Sequence, residues 1–326
     1  PSSGQAVTAG DIDGDGDLDL FVGGRIIPGR YPVAPESYLL RNDGGRFSNI
    51  TETAAPGLGT AGLITDALFS DYDGDGNLDL IAVGEWTPVL FYKNDGNGQF
   101  NEATAETGLE SNNGWWWSIA SGDFNKDGKT DYVVGNLGLN HKFKAKPDKP
   151  FVVFGNDFDN NGTNDVVLAS YSGDRLLPVR GRECTSEQMT FVAEKFPTFE
   201  GFAKATVDKI LPTDALETSV KYEVHSFKSV VLINLGNGKF EKIALPTEAQ
   251  FAPIRGLVVL DVNGDGNEDI LGVGNNYQAE VETVRYDAGV GLCLLGNGKS
   301  QFEAASIAKS GFFASGDTRD VTVLNN

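Results

Sequence analysis

Five copies of a nine-residue Asp/Asn-Gly loop, each leading into a short β-prone run, and four Asn-Gly hairpins predict an all-β chain. Units recurring at intervals of roughly 40–60 residues, each of four strands, predict a β-propeller. Glycine is abundant, at 41 of 326 residues, and methionine occurs once, which suits many tight turns and few long helices.

The loops come first because they set the register of everything else. At positions 1, 3, 5, 7 and 9, loop 1 carries Asp11, Asp13, Asp15, Asp17 and Asp19, and loop 2 carries Asp71, Asp73, Asp75, Asn77 and Asp79. Loop 3 carries Asp123, Asn125, Asp127, Lys129 and Asp131, and loop 4 carries Asp157, Asp159, Asn161, Thr163 and Asp165. Loop 5 carries Asp261, Asn263, Asp265, Asn267 and Asp269. Position 6 is glycine and position 9 is Asp in every copy. Calcium takes six to eight oxygens at about 2.3–2.6 Å, and a tightly wound loop presents them from alternate residues. The glycine allows the positive-φ turn that folds the loop back on the ion. Position 7 would then offer its backbone carbonyl, and the Asp at position 9 would close the shell with both oxygens. Turn chemistry alone accounts for one Asp-Gly-Asp copy, but not for five that all keep Asp at position 9. About five Ca²⁺ ions are expected, with the loop residues named above as the metal sites.

The pattern begins like an EF-hand loop but stops at nine residues, without a glutamate at position 12. Its flanks, such as Leu78-Asp-Leu80-Ile-Ala-Val83 and Ile270-Leu-Gly-Val273, are strand formers, so the ion is expected between strands. The second half of each unit is a hairpin: Tyr38 to Phe47, Val89 to Phe100, Val230 to Phe240 and Leu292 to Phe302. Blades are expected to start before Asp11, Asp71, Asp123 and Asp261. Phe151-Val-Val-Phe154 reads as the third strand of the third blade, with loop 4 replacing its hairpin. A fourth blade then ends in the hairpin at Asn234 to Gly238. Residues 185–217 lose the alternation and are expected as a partly helical insertion. Gly311 to Val321 starts a further blade, incomplete at the C-terminus. Six blade starts are thus visible, for six or seven blades within a single calcium-binding domain over residues 1–326.

The charge excludes several classes. Forty-six acidic against 26 basic side chains give a formal net charge of −20, the opposite of a phosphate-neutralising nucleic-acid binder. Seventeen of the acids stand at loop positions 1, 3, 5 and 9, and five divalent ions would halve the net charge. Much of the acidity is therefore a metal requirement. No apolar run reaches the roughly 18–20 residues needed to span a bilayer. Cys184 and Cys293 exclude a disulfide framework, but leave open either two free thiols or one bridge. The opening Pro1-Ser2-Ser3-Gly4 reads as part of something longer, without a signal peptide.

The Asp-rich loop between strands, followed by an Asn-Asp-Gly hairpin, resembles the FG-GAP or VCBS-type repeats of integrin-α-like propellers. Gly114-Trp115-Trp116-Trp117, Val134 to Asn140, Gly24 to Pro32 and Glu282 to Asp287 resemble bacterial surface proteins that also carry an ASPIC/UnbV-type segment, absent here. The resemblance implies a non-catalytic cell-surface module that binds proteins or other ligands, of the kind found beside nutrient-import machinery. Its partners would be other surface proteins or the rest of a larger polypeptide, and its location extracellular or on a bacterial outer membrane. Calcium loops without a position-12 glutamate point the same way, because weak sites need the high calcium outside cells.

Two alternatives accompany this reading. A glycan-binding lectin would use Trp115 and Trp117, whose aromatic faces stack on sugar rings, although alternation on a strand buries either Trp116 or both its neighbours. Arg25, Arg30, Trp86, Arg285 and Tyr286 follow inner strands and could line the same face. A calcium-dependent polysaccharide lyase would need a Lys or Arg near the site. His141 and His225 lie in no nucleophile motif, and no enzymatic activity is expected.

Overall fold

The structure, a computed structural model, describes residues 2–279 and 283–324, so Glu282 of the family-like stretch lies outside the described residues. Twenty strands form five four-stranded antiparallel sheets among the described residues. The first sheet holds β1 (Ser3–Gly10), β2 (Asp19–Ile26), β3 (Tyr38–Asn42) and β4 (Phe47–Asn49). The second holds β5 (Leu63–Ser70), β6 (Asp79–Glu85), β7 (Leu90–Asn94) and β8 (Phe100–Glu102). The third opens with β9 (Trp116–Gly122) and β10 (Asp131–Asn136), and the chain then departs. It builds an inserted sheet from β11 (Phe151–Asn156), β12 (Asp165–Ser172), β13 (Arg175–Pro178) and β14 (Val220–Val224), in the order β13-β12-β11-β14. It returns with β15 (Val230–Gly236) and β16 (Lys239–Ala244) to complete the third sheet. The fourth sheet holds β17 (Gly256–Leu260), β18 (Asp269–Val273), β19 (Leu292–Gly296) and β20 (Phe302–Ala304).

Period-two alternation explains why these sheets stack. Leu80 points toward the first sheet, in one core with Phe21 and Leu39. Its neighbour Ile81 points the other way, into a core with Tyr132 and Leu232 of the third sheet. Val133 and Val231 in turn share a core with Ile270 and Leu294 of the fourth. Strands buried on both faces read as continuous apolar runs, as β6 and β10 do, with every residue buried.

The expected strand assignment in the third unit is corrected by the pairing. β15 pairs with β10 through Tyr132↔Leu232 and Val134↔Val230, so the hairpin at Asn234 to Gly238 belongs to the third sheet. Phe151 to Phe154 is not its third strand but a central strand of the inserted sheet. Strand-forming sequence marks a strand, yet says nothing about its partner when residues 137–229 intervene. The six expected blade starts become four consecutive sheets and one inserted sheet. Gly311 to Val321 forms no strand, although Asp320 and Val321 lie directly against Gly256 at the start of β17. Five short helices run from Arg182 to Glu217, between β13 and β14. Their apolar side chains, among them Met189, Val192, Phe202 and Ile210, pack on Val152 and Phe154 of β11. Cys184 and Cys293 are both free thiols.

The inserted sheet packs at the strand ends remote from the Asp loops. Phe151 stacks on Trp86, which follows β6, at 5.7 Å between ring centroids, and shares a core with Leu63 and Leu137. Gly155 makes the approach possible, since a Cβ there would lie 2.3 Å from Pro32 Cδ.

Candidate metal centres

All five Asp loops join two adjacent antiparallel strands, and position 9 is always the first residue of the second strand. The backbone of each loop is wound around its own side chains. At position 1, Asp71 Oδ1 accepts from the N–H of Gly74 at 2.8 Å and Oδ2 from that of Gly76 at 2.9 Å. Asp11, Asp123, Asp157 and Asp261 likewise accept from the position-6 glycine N–H at 2.8–3.0 Å. At position 5, Asp15, Asp75, Asp127, Asn161 and Asp265 accept from the N–H two residues on. Asx turns of this kind are why Asp and Asn, and not Glu, occupy these places. Gly76 has φ 93° and Gly128 φ 80°, as expected of position 6. Position 4 is also left-handed, through Gly14, Gly74 and Gly264, and through Lys126 and Asn160 where glycine is missing.

The winding gathers oxygens. Carboxylate oxygens of Asp11, Asp13 and Asp15, of Asp71, Asp73 and Asp79, and of Asp157, Asp159 and Asp165 lie within 4.8 Å of one another in each set. Asn125 and Asn263 stand at position 3 of the other two loops, where an amide oxygen replaces a carboxylate. Loop 1 leaves Asp13 Oδ1 buried without a hydrogen-bond partner among the described residues. Burial, with Asp15, Asp19 and Asp11 nearby, pushes the Asp13 carboxyl up. Burial pushes Asp79 up to about 7 and Asp131 to about 6, against the N–H groups that stabilise their charge. Each set gathers negative charge and oxygen donors, and a hard divalent cation with oxygen preference fits them. In loop 2 the Lys93 ammonium lies on Asp73 and 3.1 Å from Asp75 Oδ2, and in loop 3 Lys129 lies 2.6 Å from Asp127 Oδ2.

Position 9 does more than the sequence reading assigned to it. Asp79 Oδ2 accepts from the Tyr72 N–H at 3.3 Å, and Oδ1 from the Asn94 N–H of β7 at 2.8 Å. Asp19 holds Ile12 and Asn42 in the same way, Asp131 holds Phe124 and Asn234, and Asp269 holds Val262 and Gly296. This buried carboxylate ties the loop to the third strand of its own sheet. The asparagine it orients then reaches the next joint. Asn94 Nδ2 donates to the carbonyl of Ile12 in loop 1 at 2.7 Å, and Asn234 Nδ2 to that of Tyr72 in loop 2 at 2.8 Å. Between the third and fourth sheets the Ser300 N–H donates to the Phe124 carbonyl at 2.9 Å. These asparagines were not among the expected site residues, although their recurrence just before the hairpin glycines is visible in the sequence. Asn234→Ala removes two donated bonds to backbone carbonyls, one of them fully buried, and is expected to cost about 2 kcal/mol in urea unfolding. A loss below about 0.5 kcal/mol would mean that the bond adds nothing to the joint.

The other expected ligand residues separate into two groups. Arg25, Trp115, Trp117 and Tyr286 line one cavity under the inserted sheet. Trp86 is buried behind it, with φ 67° and its Nε1 donating to the Tyr31 hydroxyl at 2.5 Å. Arg30 is exposed on the turn after β2, and Arg285 is exposed with its guanidinium 5.1 Å from the Tyr277 ring centre. Trp116 is buried in the core between the second and third sheets.

Strand, Asp loop, strand and hairpin, repeated and joined through the loops, define a β-sheet repeat protein with acidic clusters at its joints. Residues 71–134 match the family model of the FG-GAP-like repeat, a stretch that runs from loop 2 through loop 3 into β10. Cartilage acidic protein 1 of Mus musculus is 28% identical over 129 residues, covering 32% of this chain and 20% of the relative. The Homo sapiens protein of that name matches over the same extent at 28% identity. The chain thus matches about a fifth of the length of these curated relatives. Among solved structures, the V. cholerae biofilm matrix protein Bap1 aligns with 92% of this chain and 39% of its own, at 15% identity and a TM-score of 0.35.

Proposed function

We propose that the chain is a calcium-stabilised, non-catalytic interaction module, its four consecutive sheets being blades of a β-propeller, and that it works outside the cytoplasm. The observation that carries this reading is the position of the loops. The position-2 carbonyls of loops 1, 2 and 3 are each held by the next sheet, so these three acidic clusters sit at joints between sheets. Asp11, Asp13, Asp15 and Asp19, with the Asp17 carbonyl, would hold the ion in loop 1. The corresponding residues through Asp269 would serve the other four, about five Ca²⁺ ions in all. The ion supplies charge neutralisation and cross-links, as disulfides do elsewhere. Such joints hold where calcium is millimolar, which favours an extracellular or cell-surface setting. The name of the curated relatives, cartilage acidic protein, is compatible with that setting.

The surroundings of His141 support a non-catalytic role. His141 is packed against Phe227 and Phe143, its Nε2 lies 2.8 Å from the Gly138 carbonyl, and burial pushes its pKa down to about 4. No helix among the described residues is long and apolar enough to cross a membrane. Partners would be other surface proteins or further parts of a longer polypeptide. Limited proteolysis of intact source cells tests the location. Added protease is expected to cut the domain when EDTA is present and to spare it in calcium. Cleavage that requires lysis under both conditions would sink the surface assignment.

A further inference from the structure

The three joints between consecutive sheets are built from the same parts, and both ends of the stack carry those parts unused. On the leading side of each joint stands the apolar residue at position 2 of an Asp loop. Ile12, Tyr72 and Phe124 hold these places, and none is more than 3% exposed. On the following side stands the phenylalanine that closes the hairpin of the next sheet. Phe100 shares a core with Ile12, the Phe240 ring centre lies 6.3 Å from that of Tyr72, and that of Phe302 lies 5.3 Å from that of Phe124. A hydrogen bond to the position-2 carbonyl completes each joint, from Asn94, Asn234 or the Ser300 N–H. Loop 5, on the fourth sheet, departs from this pattern. Val262 at its position 2 is 39% exposed, and its carbonyl accepts no hydrogen bond among the described residues.

The first sheet presents the other half. Phe47, the counterpart of Phe100 and Phe240, is 51% exposed. Asn42 is the counterpart of Asn94 and Asn234. All three amides donate to the position-8 carbonyl of their own sheet's loop: Asn42 to Leu18 at 3.2 Å, Asn94 to Leu78 and Asn234 to Thr130. Asn94 and Asn234 use the second amide hydrogen across the joint, whereas that of Asn42 has no acceptor among the described residues. We propose that Phe47 and Asn42 of one copy of this chain dock on Val262 of a second copy. The first sheet of one molecule then stacks on the fourth sheet of another, as consecutive sheets stack within the chain. The pairing of Ile12 with Phe100 shows that an aliphatic residue suffices at position 2. A second copy is the fitting occupant because one chain carries both halves of the joint. The halves differ, so the contact is head-to-tail and leaves a fresh end on each added copy. Asp320 and Val321 lie against Gly256, at the opposite end of β17 from loop 5, and the exposed Val323 and Leu324 would give way to the incoming β1. The inference rests on the joints between the sheets, not on calcium occupancy or location.

Sedimentation velocity of the intact chain in calcium, from about 1 to 100 µM, measures this association. The weight-average mass is expected to rise with concentration past that of a dimer. Phe47→Asp and Val262→Asp each spoil one half of the joint. Both residues are exposed, so the melting curves should match that of the unsubstituted chain, while each variant alone should associate more weakly by about thirtyfold or more. An equal mixture of the two variants tests the direction of the contact. Phe47→Asp keeps the Val262 half and Val262→Asp keeps the Phe47 half, so the mixture is expected to form dimers and stop there. An unsubstituted chain that stays monomeric throughout the range overturns the proposal. So does a variant that associates as strongly as that chain, or a mixture no heavier than its components.

Discussion

In EDTA the melting temperature is expected to fall by on the order of 10–20 °C relative to millimolar calcium. A ligand that binds only the folded state adds about 2.7 kcal/mol per site at a hundred times its Kd, and five loops multiply that effect. Loss of the ion also leaves clustered charge behind. Seventeen Asp side chains at the coordinating positions repel one another at short range, and Asp13 keeps a buried oxygen without a hydrogen-bond partner among the described residues. The loops should not respond equally. Loops 1 and 2 carry four carboxylates at positions 1, 3, 5 and 9, whereas loops 3, 4 and 5 carry three. Loop 2 already has Lys93 on Asp73 and Asp75, so loop 1 should gain most from the ion. Magnesium should restore less than calcium, because it holds its water shell and demands a tighter octahedron. Calorimetry in calcium, magnesium and EDTA measures this, and superimposed melting curves would rule out structural calcium.

What was legible in the sequence follows from how far each signal reaches along the chain. The Asp loops and Asn-Gly hairpins are local: every residue that winds them lies within nine positions, so the strands on either side could be placed. The alternation of Leu80 and Ile81 was equally readable as a strand, but not which sheet each would meet. The return of β15 to β10 was not legible, because the pairing of Leu232 with Tyr132 spans an insertion with strand signals of its own. The same holds for the cavity. Arg25, Trp115 and Trp117 could be singled out as aromatic and cationic loop residues. Glu85 and Tyr31 gained their meaning only when the fold placed them together, one taking the guanidinium and the other its second oxygen.

The double role of position 9 makes the sharpest local test. Asp79→Ala is expected to cost about 3–5 kcal/mol in calcium, and Asn77→Ala less than about 1 kcal/mol. Asp79 is fully buried and accepts two backbone N–H groups, of Tyr72 and Asn94, besides facing the ion. Alanine leaves both donors buried and unpaired, and it frees the strand that carries the Asn94 contact to the Ile12 carbonyl. Asn77 is half-buried, and its contribution to the ion is a backbone carbonyl that alanine retains. EDTA should shrink the Asp79→Ala cost and leave that of Asn77→Ala nearly unchanged. Without the ion, burial raises the Asp79 pKa from its ordinary value to about 7, so the folded state favours the protonated form. Stability gained from that preference is present below the unfolded pKa and is lost as the pH rises through about 7. At pH 8 the ionised carboxylate therefore opposes folding in EDTA, and its removal offsets part of the lost hydrogen bonding. Urea unfolding of both variants at pH 8, with and without calcium, separates the two contributions. An Asp79→Ala cost that is the same in EDTA and in calcium would keep the hydrogen-bonding role of Asp79 and remove the ion from position 9.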